Sequence, residues 1–88
     1  MHFPGSRLFE LKDTHGLSLE NALDQLQARG VEVEWPSFVE AARKAGWYDF
    51  KTIDAIEFAM ADAGAPRSYQ DGVKIRLRQY VLEHPLPL

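Results

Sequence analysis

Few of the side chains that could do chemistry in this chain are spaced to do it. His2, His15 and His84 show no metal-ligand spacing and each lies near a predicted helix end or a terminus; cysteine is absent, which excludes disulfides and thiolate metal sites. Carboxylates pair at Glu32 with Glu34 and at Asp54 with Glu57, but such pairs do acid and base work only where burial separates their pKa values, and these fall on polar faces. A Gly-rich phosphate loop, a Gly-x-Ser-x-Gly elbow and a His-Glu-x-x-His pair are all missing. The residues therefore read as those of a protein that is not an enzyme and uses no cofactor or metal.

Two groups suit binding instead. Lys74 and Arg78 are four apart and share one helical face, with Arg67 just before that helix, while Arg76 points elsewhere. Charge is uneven: residues 1–63 hold six Lys/Arg against eleven Asp/Glu, and residues 64–88 hold four against two, so an anionic partner would meet the C-terminal helix. The same cations also suit an ordinary solvated face. The second group is aromatic. Trp47 and Tyr48 are adjacent in a turn and cannot easily both face inward, which marks one of them as an exposed anchor for a protein interface. A helix-turn-helix that puts the following helix in the DNA major groove is rejected, because that helix carries Lys51 against Asp54, Glu57 and Asp62.

The elements that position these groups are set out by glycine. Gly16, Gly30, Gly46 and Gly64 each follow a stretch of helical spacing, as expected where a helix closes through a left-handed residue. The first helix should run from Arg7 to about His15 and bury Leu8 and Leu11 with help from Phe9. Ser18 should cap the second, whose Leu19, Ala22, Leu23 and Leu26 make one apolar face. Val31–Glu34 alternates like a strand but has no visible second strand, so it is expected to be an extended connector with both valines turned inward. Pro36 should open the third helix, with Phe38, Ala41, Ala42 and Ala45 buried. Asp49 should cap the fourth, burying Phe50, Ile53, Ile56, Met60 and Ala63. Ser68 with Asp71 resembles a capping box for the fifth, whose buried face is Val73, Leu77, Tyr80 and Val81, ended by His84-Pro85.

These segments predict an all-α fold, a compact bundle of about five short helices in one domain spanning residues 1–88. Hydrophobic residues are 45% and charged ones 26% of the chain, a globular composition, and the net charge of −3 argues against broad affinity for nucleic acid. No stretch longer than six residues lacks a Lys, Arg, Asp or Glu, whereas a membrane span needs roughly 20 mostly apolar residues. The first six residues lack the regions of a signal peptide. The expectation is a cytoplasmic protein with no membrane partner.

One segment carries a family likeness. Phe9-Glu10-Leu11-Lys12-Asp13-Thr14-His15-Gly16 resembles the stretch that follows the catalytic domain of alanyl-tRNA synthetases, Phe-x-Leu-x-Asp-Thr-Tyr-Gly-Phe-Pro, which leads into a helix ending at glycine, then a Val-Asp pair and a Gly-Phe. The register holds without a gap: Leu19 and Glu20 open the helix, Gly30 closes it, Val33-Glu34 stands for Val-Asp and Phe38 for the phenylalanine. The likeness covers residues 7–45. His15 replaces the usual tyrosine, Leu17 the phenylalanine and Ser18 the proline, and the synthetase catalytic and editing domains are missing. In that family the segment belongs to a helical region holding the tRNA acceptor stem, and the aspartate of Asp-Thr-x-Gly is associated with reading its minor groove. The resemblance thus implies RNA contact at Asp13, although Asp13 and Thr14 also suit capping of the turn before Gly16.

Together these readings point to a non-catalytic helical binding module, engaging a protein or a structured, tRNA-like RNA. The rival is a small accessory or inhibitor protein of a phage or mobile element, acting through protein–protein contacts.

Overall fold

The computed structural model describes residues 2–86. A strand β1 (His2–Pro4) runs straight into α1 (Gly5–Asp13); α2 (Leu19–Ala28) follows; a second strand β2 (Glu32–Glu34) runs straight into α3 (Trp35–Lys44); α4 (Asp49–Asp62) and α5 (Arg67–Glu83) complete the chain. The fold is all-α but for this strand pair. Its radius of gyration, 12.2 Å, is near the roughly 12 Å of a compact chain of this length. No helix among the described residues is long and apolar enough to cross a membrane.

The strand pair corrects the expectation of an unpartnered connector. β1 and β2 pair in parallel, with Phe3 opposite Val33 and Pro4 opposite Glu34. Each strand feeds a helix without a loop, so the pairing sets α1 and α3 side by side from their first turns. Of the two valines expected inside, Val33 is buried and Val31 only half-buried.

Gly5 stands at this junction. A Cβ there would lie 2.2 Å from the Glu34 carbonyl oxygen and 2.6 Å from the Phe38 backbone nitrogen, so only glycine lets the two chains approach so closely. The same junction is capped by one acid. The Glu34 carboxylate accepts the Ser37 N–H at 2.7 Å on α3 and the Gly5 N–H at 3.3 Å on α1, and it also accepts the Ser37 hydroxyl. Ser37 Oγ in turn accepts the Ser6 N–H at 2.8 Å. Both helix N-termini thus lose orphan donors to a single side-chain pair. Partial burial pushes the Glu34 carboxyl up, but the hydrogen bonds from Ser37 and Gly5 and the nearby His2 outweigh it, and the carboxyl sits below its ordinary value of 4.5.

The core includes Phe38, Val39 and Ala42 of α3, all fully buried, in one cluster with Leu8 and Phe9 of α1, Leu23 of α2, Ile56 and Met60 of α4, and Val73 and Leu77 of α5. Phe38 takes the edge-to-face arrangement that ring quadrupoles favour, with Phe9 at 5.3 Å and Trp35 at 5.5 Å.

Several boundaries and faces differ from expectation. α1 ends at Asp13, before His15. α3 begins at Trp35, with Glu34 as its cap and Pro36 second. Asp49 is the first residue of α4 rather than its cap. α5 starts at Arg67 with Pro66 before it and no side-chain cap, so Ser68 lies inside the first turn. Ala45 and Phe50, expected in the core, are exposed, while Thr52, overlooked as polar, is buried with its hydroxyl donating to the Tyr48 carbonyl at 3.3 Å. The four glycine stops all adopt the left-handed backbone, Gly46 with φ 88° among them.

Candidate interaction surface

The turn from α3 into α4 is held by a charged side chain in an unusual place. The side chain of Arg43 is only 6% exposed. Its guanidinium grips Asp49 with two parallel bonds of 2.9 Å, reaches the His84 carbonyl at 2.7 Å and lies 3.5 Å from Glu40, which accepts the Tyr80 hydroxyl. The Asp49 hydrogen bond, working against partial burial, raises the Arg43 pKa, and the Glu40 hydrogen bond raises that of Tyr80. A bidentate fork of this kind fixes orientation as well as distance. It sets the first residue of α4, and with it the direction of the residues on either side.

Those neighbours are aromatic. Tyr48 and Phe50 are 70% and 69% exposed, and their rings stack within 8° of parallel at 5.8 Å. Trp47, one residue earlier, turns the other way: it packs edge-on to Phe9 at 5.3 Å, and its backbone N–H donates to the Ala42 carbonyl at 2.9 Å. The ammonium groups of Lys12 and Lys51 lie 4.8 and 4.3 Å from the centre of its ring. Of the two candidates Trp47 and Tyr48, then, Tyr48 is the exposed one and Trp47 is half-buried support. Phe50, Lys12, Lys51 and Arg43 belong to this corner and were missed. Only Phe50 left a signal in the sequence, an aromatic two residues from Tyr48, and it was absorbed by a helical-face reading.

The cations suggested for RNA are distributed otherwise. Arg67 lies 3.4 Å from Asp71 and Lys74 lies 3.2 Å from Glu57; these four side chains and Phe58 line a shallow hollow of about 260 Å³. Arg67 and Lys74 do come together, each beside a carboxylate. Arg78 is exposed on α5. Asp13 closes α1 with its side chain exposed, and the turn after it is closed by backbone bonds, Thr14 N–H to Glu10 and Leu17 N–H to Leu11. α1 packs chiefly on α3 and α5 chiefly on α4, so Asp13 and the cations stand on different helix pairs.

A comparison with protein families, curated proteins and solved structures finds no match to this chain.

Proposed function

We propose that the chain is a non-catalytic helical binding module that engages a protein partner through the corner between α3 and α4. The observation that carries this reading is the parallel Tyr48–Phe50 pair, about 70% exposed and set in place by the Arg43–Asp49 fork. Large rings already held in one arrangement lose little freedom on binding, and tyrosine is enriched among the few residues that carry most of the binding energy at protein interfaces. The non-catalytic part of the reading is supported by how the polar clusters are used. Arg43, Asp49, Glu40 and Tyr80 tie helices together, and Glu34 and Ser37 cap them.

The test is recovery of a binding partner from host extract with the wild-type chain and with a Tyr48→Ala/Phe50→Ala variant. A protein retained by the first and lost by the second, with circular dichroism unchanged, is the expected outcome. Recovery of RNA alone, released by salt and by Lys74→Glu or Arg78→Glu, would overturn this reading in favour of an RNA-binding module.

A further inference from the structure

On the side of the molecule formed by β2, the start of α3 and the outer part of α5 lies a groove of about 290 Å³. Its apolar lining includes Val33, Trp35 and Leu77, and its polar lining includes Glu32, Tyr69 and Arg76. The volume is at the lower edge of the roughly 300–1,000 Å³ typical of ligand pockets, which suits a ligand much smaller than a nucleotide.

Three features of the polar side stand out. The Trp35 Nε1–H is enclosed and has no acceptor of ordinary hydrogen-bond geometry among the described residues, the Tyr69 side chain being the polar group it approaches. Buried donors of this kind ordinarily have partners. Arg76 donates weakly to the Gly72 carbonyl at 3.4 Å and has no carboxylate within ion-pair distance among the described residues. Among the described residues Glu32 is ion-paired with His2 alone, at 3.4 Å. Glu32 and Arg76 nonetheless line the same groove as Tyr69, whose pKa is raised by burial and by Glu32 and lowered by Arg76. A carboxylate and a guanidinium thus share one groove without an ion pair between them among the described residues.

We propose that this groove binds a small zwitterion bearing an apolar group, the class of the aliphatic and aromatic α-amino acids. The ligand's carboxylate pairs with the Arg76 guanidinium, whose planar fork matches it. Its ammonium pairs with Glu32. Its apolar group lies along Trp35 and Leu77, and the Tyr69 hydroxyl gains an acceptor in the carboxylate. Glu34 and His2 also line the groove, so a simple anion would meet two carboxylates, whereas a zwitterion offers its carboxylate to Arg76 and its ammonium to Glu32. Neither Tyr48 nor Phe50 lines the groove, and the two assignments are tested by different variants.

The experiment is an NMR titration of the ¹⁵N-labelled full chain with leucine, with 4-methylpentanoate, which lacks the ammonium, and with leucinamide, which lacks the carboxylate. Leucine should shift the Trp35 indole N–H saturably, with a dissociation constant on the order of millimolar or tighter. Both analogues should bind about tenfold more weakly, and Arg76→Gln and Glu32→Gln should each weaken leucine by about tenfold while leaving the remaining spectrum folded. No saturable shift at Trp35 with leucine or phenylalanine would overturn the proposal. So would 4-methylpentanoate binding as well as leucine, or leucine affinity unchanged in both variants.

Discussion

Adjacent residues at the α3–α4 corner have opposite roles, and that separates binding from stability. Trp47 is half-buried against Phe9 and lies under two ammonium groups, whereas Tyr48 has 70% of its surface in solvent. Trp47→Ala should cost about 2 kcal/mol in urea denaturation, below the roughly 3–5 kcal/mol of a fully buried aromatic. Tyr48→Ala should stay within about 0.5 kcal/mol, as surface changes do. Loss of partner binding in Tyr48→Ala is thus informative, and the same loss in Trp47→Ala is not; equal stability losses would show the corner to be packed differently. Gly5 makes the complementary case, where the smallest side chain is excluded. The obstruction is the backbone oxygen of Glu34, 2.2 Å from the absent Cβ, and backbone cannot rotate aside. Gly5→Ala should therefore lower the unfolding free energy by at least the roughly 1–3 kcal/mol of an overpacked site, read from the same denaturation curves.

Among the elements, the strand–helix junctions depend on Glu34, whose carboxylate serves the N-termini of both α1 and α3. Its folded pKa is depressed below 4.5. The stabilisation it supplies is therefore complete above that ordinary value and is lost as pH falls through the lower folded value. Glu34→Gln should cost about 1 kcal/mol at neutral pH, in the range of a lost helix cap. Its unfolding free energy should also decline less steeply than the wild type's below pH 4.5. Parallel pH profiles would exclude this role. Of this junction the sequence showed the extended backbone of residues 31–34 and the helix start beside Pro36, but neither the strand partner nor the shared cap. Helix ends were, because a left-handed residue after an apolar face nearly demands glycine, as Gly46 shows. β1 was not, since three residues including Pro4 carry no period-two signal and its partner lies about thirty positions away. The start of α5 was misplaced because Pro66 can precede a helix as well as break one, and Ser68 then appeared to be the cap. On α4 the apolar spacing admitted two faces; Thr52 takes the inner one at its start and Phe50 the outer, a choice made by the neighbouring helices rather than by hydrophobicity.

At the scale of the molecule, Arg43 joins parts of the chain that no local pattern connects. Its guanidinium links α3 to the first residue of α4 and, across 41 positions, to the carbonyl that follows α5. Tyr80 adds a second tie from α5 to Glu40. Removing one member of a fully buried ion pair costs roughly 3–5 kcal/mol, but Asp49 and Glu40 keep 27% and 45% exposure and can recover water, so Arg43→Ala should cost about 2 kcal/mol. The more specific consequence is spatial. With the fork gone, the first turn of α4 and the last turn of α5 lose a shared anchor, and hydrogen exchange should show both segments losing protection together while the core amides around Phe38 keep theirs relative to global unfolding. Arg43→Lys should not restore it, because an ammonium cannot hold both Asp49 oxygens and the His84 carbonyl in one plane. Because Tyr48 and Phe50 flank Asp49, either variant should also weaken partner capture even at temperatures where the chain remains folded. Exchange that rises at α4 alone, with α5 unaffected, would break the link between the α3–α4 corner and the C-terminal helix.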